Sequence, residues 1–368
     1  NKLQVVFNLS STPDSLFKYN LTSFPSVLSI NLPRFAALSE VASTAASGIS
    51  KTAQVVAAVA ATASIPLILT SGAGTTLWNF IGLCQIVNYL LFLVVEWPEN
   101  AQQIFNIFSM ASFDFIPNPF NPLIKQLKDL GREVVTPQIF TDHGMSSGLF
   151  IQNAGGTLLI WMLIICVYLA TKAIKRLWEN PKGKIADIIN YFHRNLEWRA
   201  VLRAISSSYV SLSLAAALQL YSPGHFNNWI VGLSTSLAIM FAYVIFVFPL
   251  ICLWILNKRK LSARTAEKAL FASRYGPLYE EFKTDNILQR GFIIYCTIRK
   301  ITFIGFLVGF SGNGLIQVPL IFINSTATFF MIGILRPYEK KSDFIVNFGS
   351  EGLIMVLIAC ALVLLSDG

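Results

Sequence analysis

Polar side chains sit inside stretches that are otherwise apolar, among them Gln85, Asn88, Gln219, Arg299, Lys300, Gln317, Asn347 and Glu351. Groups of these types can pair charges, hydrogen-bond between helices or line an ion pathway. An ionisable group at the centre of a bilayer costs about 2.5–3.5 kcal/mol on insertion scales, so it normally faces protein or water. The pair Arg299-Lys300 opens the run TIRKITFIGFLVGF, and Glu351 stands early in a second run. If both runs are helices entered from the same side, Arg299 lies about 10 Å deep and Glu351 about 12 Å deep, at a rise of ~1.5 Å per residue. A pairing of Glu351 with Arg299 or Lys300 is then permitted wherever the two helices are neighbours. Arg299 is the favoured partner, and Lys300 is expected to snorkel to the headgroups. Gln85, Gln317 and Asn347 are expected to fix helix packing or to contribute to a cation pathway whose acidic member is Glu351.

Catalytic chemistry has no comparable support. His143, His193 and His225 fall in three separate loops, and no HExxH, GxSxG, Walker, EF-hand or dinucleotide fingerprint occurs. Cys84, Cys166, Cys252, Cys296 and Cys360 lie far apart within apolar runs, with no CxxC, and read as apolar filler. The expectation is a protein that is not an enzyme and carries no cofactor or metal.

The elements that position these residues follow from composition. The chain is 54% hydrophobic and only 13% charged, against about 25% charged in soluble domains. Windows of about 20 apolar residues recur, long enough to cross a hydrocarbon core of about 30 Å. Spans are expected near 53–71, 76–96, 149–171, 200–221, 227–256, 292–310, 314–335 and 343–366. The fold class is therefore an all-α polytopic transmembrane bundle of about eight spans, nine in a fuller chain. Residues 1–35 read as short strand-like pieces ending an extracellular ectodomain, and residues 36–368 as the membrane domain.

The net charge of +9 is a topology signal and does not point to nucleic acid. Basic residues crowd 172–199 (with Lys172, Lys175 and Arg176) and 257–290 (with Lys258, Arg259 and Lys260), whereas 98–147 carries only Lys125, Lys128 and Arg132. The positive-inside rule places the first two loops in the cytoplasm, their cations against lipid headgroups, and 98–147 outside as an amphipathic cap. Asn8 and Asn20 begin glycosylation sequons in the pre-membrane segment, which agrees with an outside N-terminal segment at a plasma or ciliary membrane. Asn324 also begins a sequon but falls within a span.

With these residues in place, a resemblance can be stated. LWNFIGLCQIVNYLLFLVVEWPEN, the PNPF at 117–120, the long basic loop, IRK early in the sixth span, Gln317 and LRPYEKKSDFIVNFGSEG together resemble the membrane region of the fungal TRP-like and polycystin-like family, which includes flavin-carrier-type proteins. They are also similar to the C-terminal membrane regions of ciliate cysteine-rich surface proteins. The resemblance covers about residues 36–368 and implies a membrane bundle with cation-channel activity. A tetrameric TRP channel carries a re-entrant pore loop between its last two spans; here that link is the basic RPYEKKSD. The expected function is accordingly a TRP-like membrane domain acting as a cation channel, with a non-conducting anchor for an ectodomain or filament as the alternative. Lipid or flavin transport is a weaker third. Membrane lipids and further copies of the chain are the expected partners.

Overall fold

A computed structural model describes residues 2–6, 27–31, 74–108, 116–130, 134–177, 201–221, 228–261, 271, 275–279, 281–283 and 286–366. The chain divides into two units, residues 1–48 and 49–368. In the first, β1 (Lys2–Val6) pairs antiparallel with β2 (Val27–Asn31), Lys2 opposite Asn31 and Val6 opposite Val27. Asn8 and Asn20 lie outside the described residues.

The second unit is helical: α1 (Gly74–Tyr89), α2 (Glu99–Ile107), α3 (Asn121–Asp129), α4 (Gln138–Asp142), α5 (Phe150–Asn153), α6 (Gly155–Leu177), α7 (Val201–Tyr221), α8 (Trp229–Leu261), α9 (Ile287–Arg290), α10 (Phe292–Gly309), α11 (Gly314–Leu335) and α12 (Lys341–Ser366). Among the described residues six helices, α6, α7, α8, α10, α11 and α12, are long and apolar enough to cross a membrane. They correspond to the six expected spans from 149–171 onward. The span expected at 53–71 lies outside the described residues. The one expected at 76–96 is the shorter α1, which tightens into a 3-10 turn at Leu90–Phe92 and then extends at Leu93. Leu90 to Leu93 are buried, and the Trp97 indole donates to the Leu90 carbonyl at 3.1 Å, so the tail of this run is spent on the core.

α7 is the central helix, packing on α1, α8 and α10. Its sequence SSSYVSLSLAAALQL explains how so polar a helix can be buried. Ser207, Ser211 and Ser213 donate to carbonyls three or four residues back in their own helix, so these three hydroxyl protons need no water. The small side chains also let neighbouring backbones approach closely. Pro249 interrupts α8 and removes the N–H that would meet the Ile245 carbonyl. The Tyr209 hydroxyl of α7 supplies the missing donor, at 2.7 Å.

α10, α11 and α12 are joined by tight links. The Gln317 amide closes the first link, donating to the Leu307 carbonyl and accepting from the Val94 N–H, both at 2.8 Å. Gly314 sits so close to the Val94 carbonyl that a β-carbon there would collide with it. α11 ends at Arg336, in the left-handed region (φ 42°), and Pro337 then prevents continuation. α11 and α12 interlock: Phe348 faces Gly333, Phe329 faces Gly352, and the two rings stack at 4.3 Å. α2 and α3 both lie within 98–147. Phe105 of α2 and Leu127 of α3 are buried, so both rest on other apolar side chains.

Candidate functional site in the helical bundle

Near the ends of α10, α11 and α12 that meet the Tyr338 turn, the helices enclose a cavity of about 100 Å³. That is room for several waters or one small ion. Arg299 of α10 projects across it to Glu351 of α12. The guanidinium makes a bidentate contact, Nη1 to Oε1 and Nη2 to Oε2, the second at 2.6 Å, and both residues are buried. α10 and α12 each pack on α11, and the long Arg299 arm links them directly. A planar fork on a carboxylate is the strongest ion-pair geometry available to side chains.

The same turn of α10 is held by its neighbour. Asn324 of α11 donates to the Arg299 carbonyl at 3.3 Å, and the Thr302 hydroxyl donates to it at 2.9 Å. Lys300 also lines the cavity, its Nζ about 3.6 Å from where a β-carbon on Gly82 would stand. α10 thus turns both adjacent cations inward.

The far wall comes from a loop. Tyr338, in the turn between α11 and α12, is buried against Phe282 and Phe292 and lines the cavity. Its turn is pinned to the segment before α9: Lys283 N–H donates to the Pro337 carbonyl at 2.7 Å, and Glu339 N–H to the Glu281 carbonyl at 2.9 Å. Burial, reinforced by the nearby Cys296 and Glu351, holds the Tyr338 phenol well above its ordinary pKa, so it remains a neutral O–H donor.

The structure divides the residues singled out from the sequence. Arg299, Lys300, Glu351 and Asn347 line one cavity, although the Asn347 amide donates to the Asp343 carbonyl of its own helix at 2.8 Å. Gln317 and Gln85, both fully buried, are not in its lining. Lys172, Lys175 and Arg176 are exposed near the end of α6, while the side chains of Lys258, Arg259 and Lys260 lie outside the described residues. In the sequence Tyr338 reads only as part of the resembling LRPYEKKSD stretch and not as a site residue, although an aromatic residue in a short link between two spans is the signal that could single it out. Asn324, which reads in the sequence only as a sequon within a span, is likewise not among the expected site residues. Among the described residues no group of three or more His, Cys, Asp or Glu could hold a metal ion.

The family model for transient receptor potential (TRP) ion channels matches residues 139–367, which contain all six candidate spans and most of the cavity wall. The chain belongs to the TRP ion channel family. No curated protein and no solved structure matches it. The TRP match begins within α4, so α1, with Gly82 beside Lys300, stands outside it. This is a family of membrane-embedded ion channels and not of enzymes, and its spans contact lipid.

Proposed function

We propose that this chain is the membrane domain of a TRP-family cation channel in which the Arg299–Glu351 bridge couples α10 to α12. The observation that carries this reading is a bidentate, buried ion pair between two candidate spans of a TRP-family bundle. Such a pair is costly to desolvate and costly to break, which suits a contact between discrete arrangements. With both Glu351 oxygens engaged by Arg299, Glu351 acts as a coupling residue, and ions pass elsewhere along the bundle or between copies. The orientation that goes with this reading places Lys172, Lys175 and Arg176 in the cytoplasm and the N-terminal segment, with sequons at Asn8 and Asn20, outside.

A second reading, a non-conducting anchor for an ectodomain, is favoured by one observation. Phe310–Asn313 and Arg336–Lys340, the links between the last three helices, are too short for a re-entrant filter. Ion flux in liposomes carrying the purified chain separates the two. Cation flux under voltage, calcium or tension supports the channel; none under any of these favours the anchor.

A further inference from the structure

A series of side-chain hydrogen bonds ties α10, with the short α9 before it, to α11 in antiparallel order. The Gln317 amide donates to the Leu307 carbonyl at 2.8 Å, Asn324 donates to the Arg299 carbonyl at 3.3 Å, and the Thr328 and Tyr295 hydroxyls meet at 3.0 Å. At the far end the Gln289 amide donates to the Leu335 carbonyl at 2.8 Å. The partners keep step: Asn324 to Thr328 on α11 and Arg299 to Tyr295 on α10 are each four residues, about one turn. Gln317, Asn324 and Thr328 follow one another at spacings of seven and four, which puts them on one face of α11. That face is a polar ladder on an otherwise apolar helix.

The middle rung holds the peptide of the bridge itself. The carbonyl that receives the Asn324 amide belongs to Arg299, whose guanidinium forks onto Glu351 of α12. The Thr302 hydroxyl closes this rung into a triangle, 2.9 Å from the Arg299 carbonyl and 3.3 Å from Asn324 Oδ1. Because α10 and α12 each pack on α11, the height at which Arg299 meets Glu351 depends on how α10 sits on α11. A slip of one residue along α10 would move the arm by about 1.5 Å and swing it by about 100°. A fork on a carboxylate needs both hydrogen bonds within about 3.2 Å, so such a slip breaks it. Polar residues between helices are well suited to fixing register, at some cost in stability.

We propose that Asn324 is a positioning residue for the bridge: by holding the Arg299 peptide it fixes the register of α10 on α11 at which the guanidinium meets Glu351. The assignment rests on the reading of the bridge as the coupling contact between α10 and α12. It gives α11, which supplies neither charge, a direct part in that coupling. Gln317 belongs to the same ladder, but its bonds to Leu307 and Val94 lie about two turns from Arg299, and it acts as a packing residue.

The test is a double-mutant cycle on the full chain, purified in detergent, read as melting temperature. Asn324→Leu removes the donor without adding charge and should lower the melting temperature of wild type. In a Glu351→Leu background it should lower it by about half as much or less, because no fork remains to be positioned. Gln317→Leu is the control and should cost the same in both backgrounds. If Asn324→Leu fails to fold, Thr302→Val, which removes the hydroxyl between Asn324 and the Arg299 carbonyl, takes its place. Equal losses for Asn324→Leu in the two backgrounds, no loss in wild type, or a reduction matched by Gln317→Leu would overturn the proposal. Arg299→Met in the same Glu351→Leu background separates this role from the bridge. If Arg299 couples to Glu351 and Asn324 does not, the positioning role fails and the bridge stands; if neither couples, the bridge reading fails and the positioning role with it.

Discussion

Arg299 on α10 and Glu351 on α12, far apart in sequence, meet through two parallel hydrogen bonds inside the bundle. Breaking one partner leaves the other as an uncompensated buried charge, which typically costs about 3–5 kcal/mol. Arg299→Met and Glu351→Leu are each expected to destabilise the protein by that order, and the double variant by clearly less than the sum. Melting of the purified variants in detergent, arranged as a double-mutant cycle, checks this. Additive losses would mean that the contact contributes nothing of its own.

Pro249 and Tyr209 form a second dependent pair. The Ile245 carbonyl lacks its helical N–H because of the proline and takes the tyrosine hydroxyl instead. Tyr209→Phe should cost about 1–3 kcal/mol, the penalty for a buried unsatisfied carbonyl. In a Pro249→Ala background the helix can supply its own donor, and the same substitution should cost less. Equal losses in both backgrounds, measured by thermal unfolding, would contradict the assignment.

The interlock of α11 and α12 makes a steric prediction. A β-carbon at Gly333 would stand 3.2 Å from the Phe348 ring, and one at Gly352 would stand 3.4 Å from Phe329. Gly333→Val should destabilise by about 1–3 kcal/mol through overpacking. Adding Phe348→Ala should recover part of that loss, because the clash disappears with the ring. The readout is the melting temperature of the three variants.

Much of this architecture was legible from apolar run length. The runs at 314–335 and 343–366 became α11 and α12 nearly to the residue, because a tight link or a proline marks their ends. The expected span at 76–96 reads longer than α1 for a physical reason. The apolar residues Leu90–Leu93 signal burial, and burial inside protein looks the same in a sequence as burial in lipid. The site was readable only in part. Equal depth made an Arg299–Glu351 contact permissible, but the depth of a residue says nothing about which helices are adjacent. Lys300 reads as a snorkelling cation because the rule concerns the end of a helix, whereas the structure turns its side chain toward Gly82. Gln317 reads equally well as a pathway or a packing residue, and only its bonds to Val94 and Leu307 distinguish the two.

His143, beside α4, supplies a pH prediction outside the spans. Its ring lies edge-on to Phe92 at 6.2 Å, and partial burial lowers its pKa below the ordinary 6.5, with Asp142 partly offsetting the shift. A lowered folded-state value means that its contribution is fully present above about pH 6.5 and is lost as pH falls through the lower folded value. Wild type should therefore lose melting temperature between about pH 7 and pH 5 more steeply than His143→Gln. Parallel slopes would remove His143 from the pH response.

The coupling role of the bridge is tested most directly by single-channel recording of the reconstituted chain with its charges exchanged. Wild type should conduct cations, Arg299→Glu and Glu351→Arg should each change open probability by about tenfold or more, and the double exchange should move back toward wild type. Single variants that gate like wild type, or a double exchange no closer to wild type than its parents, would contradict the account.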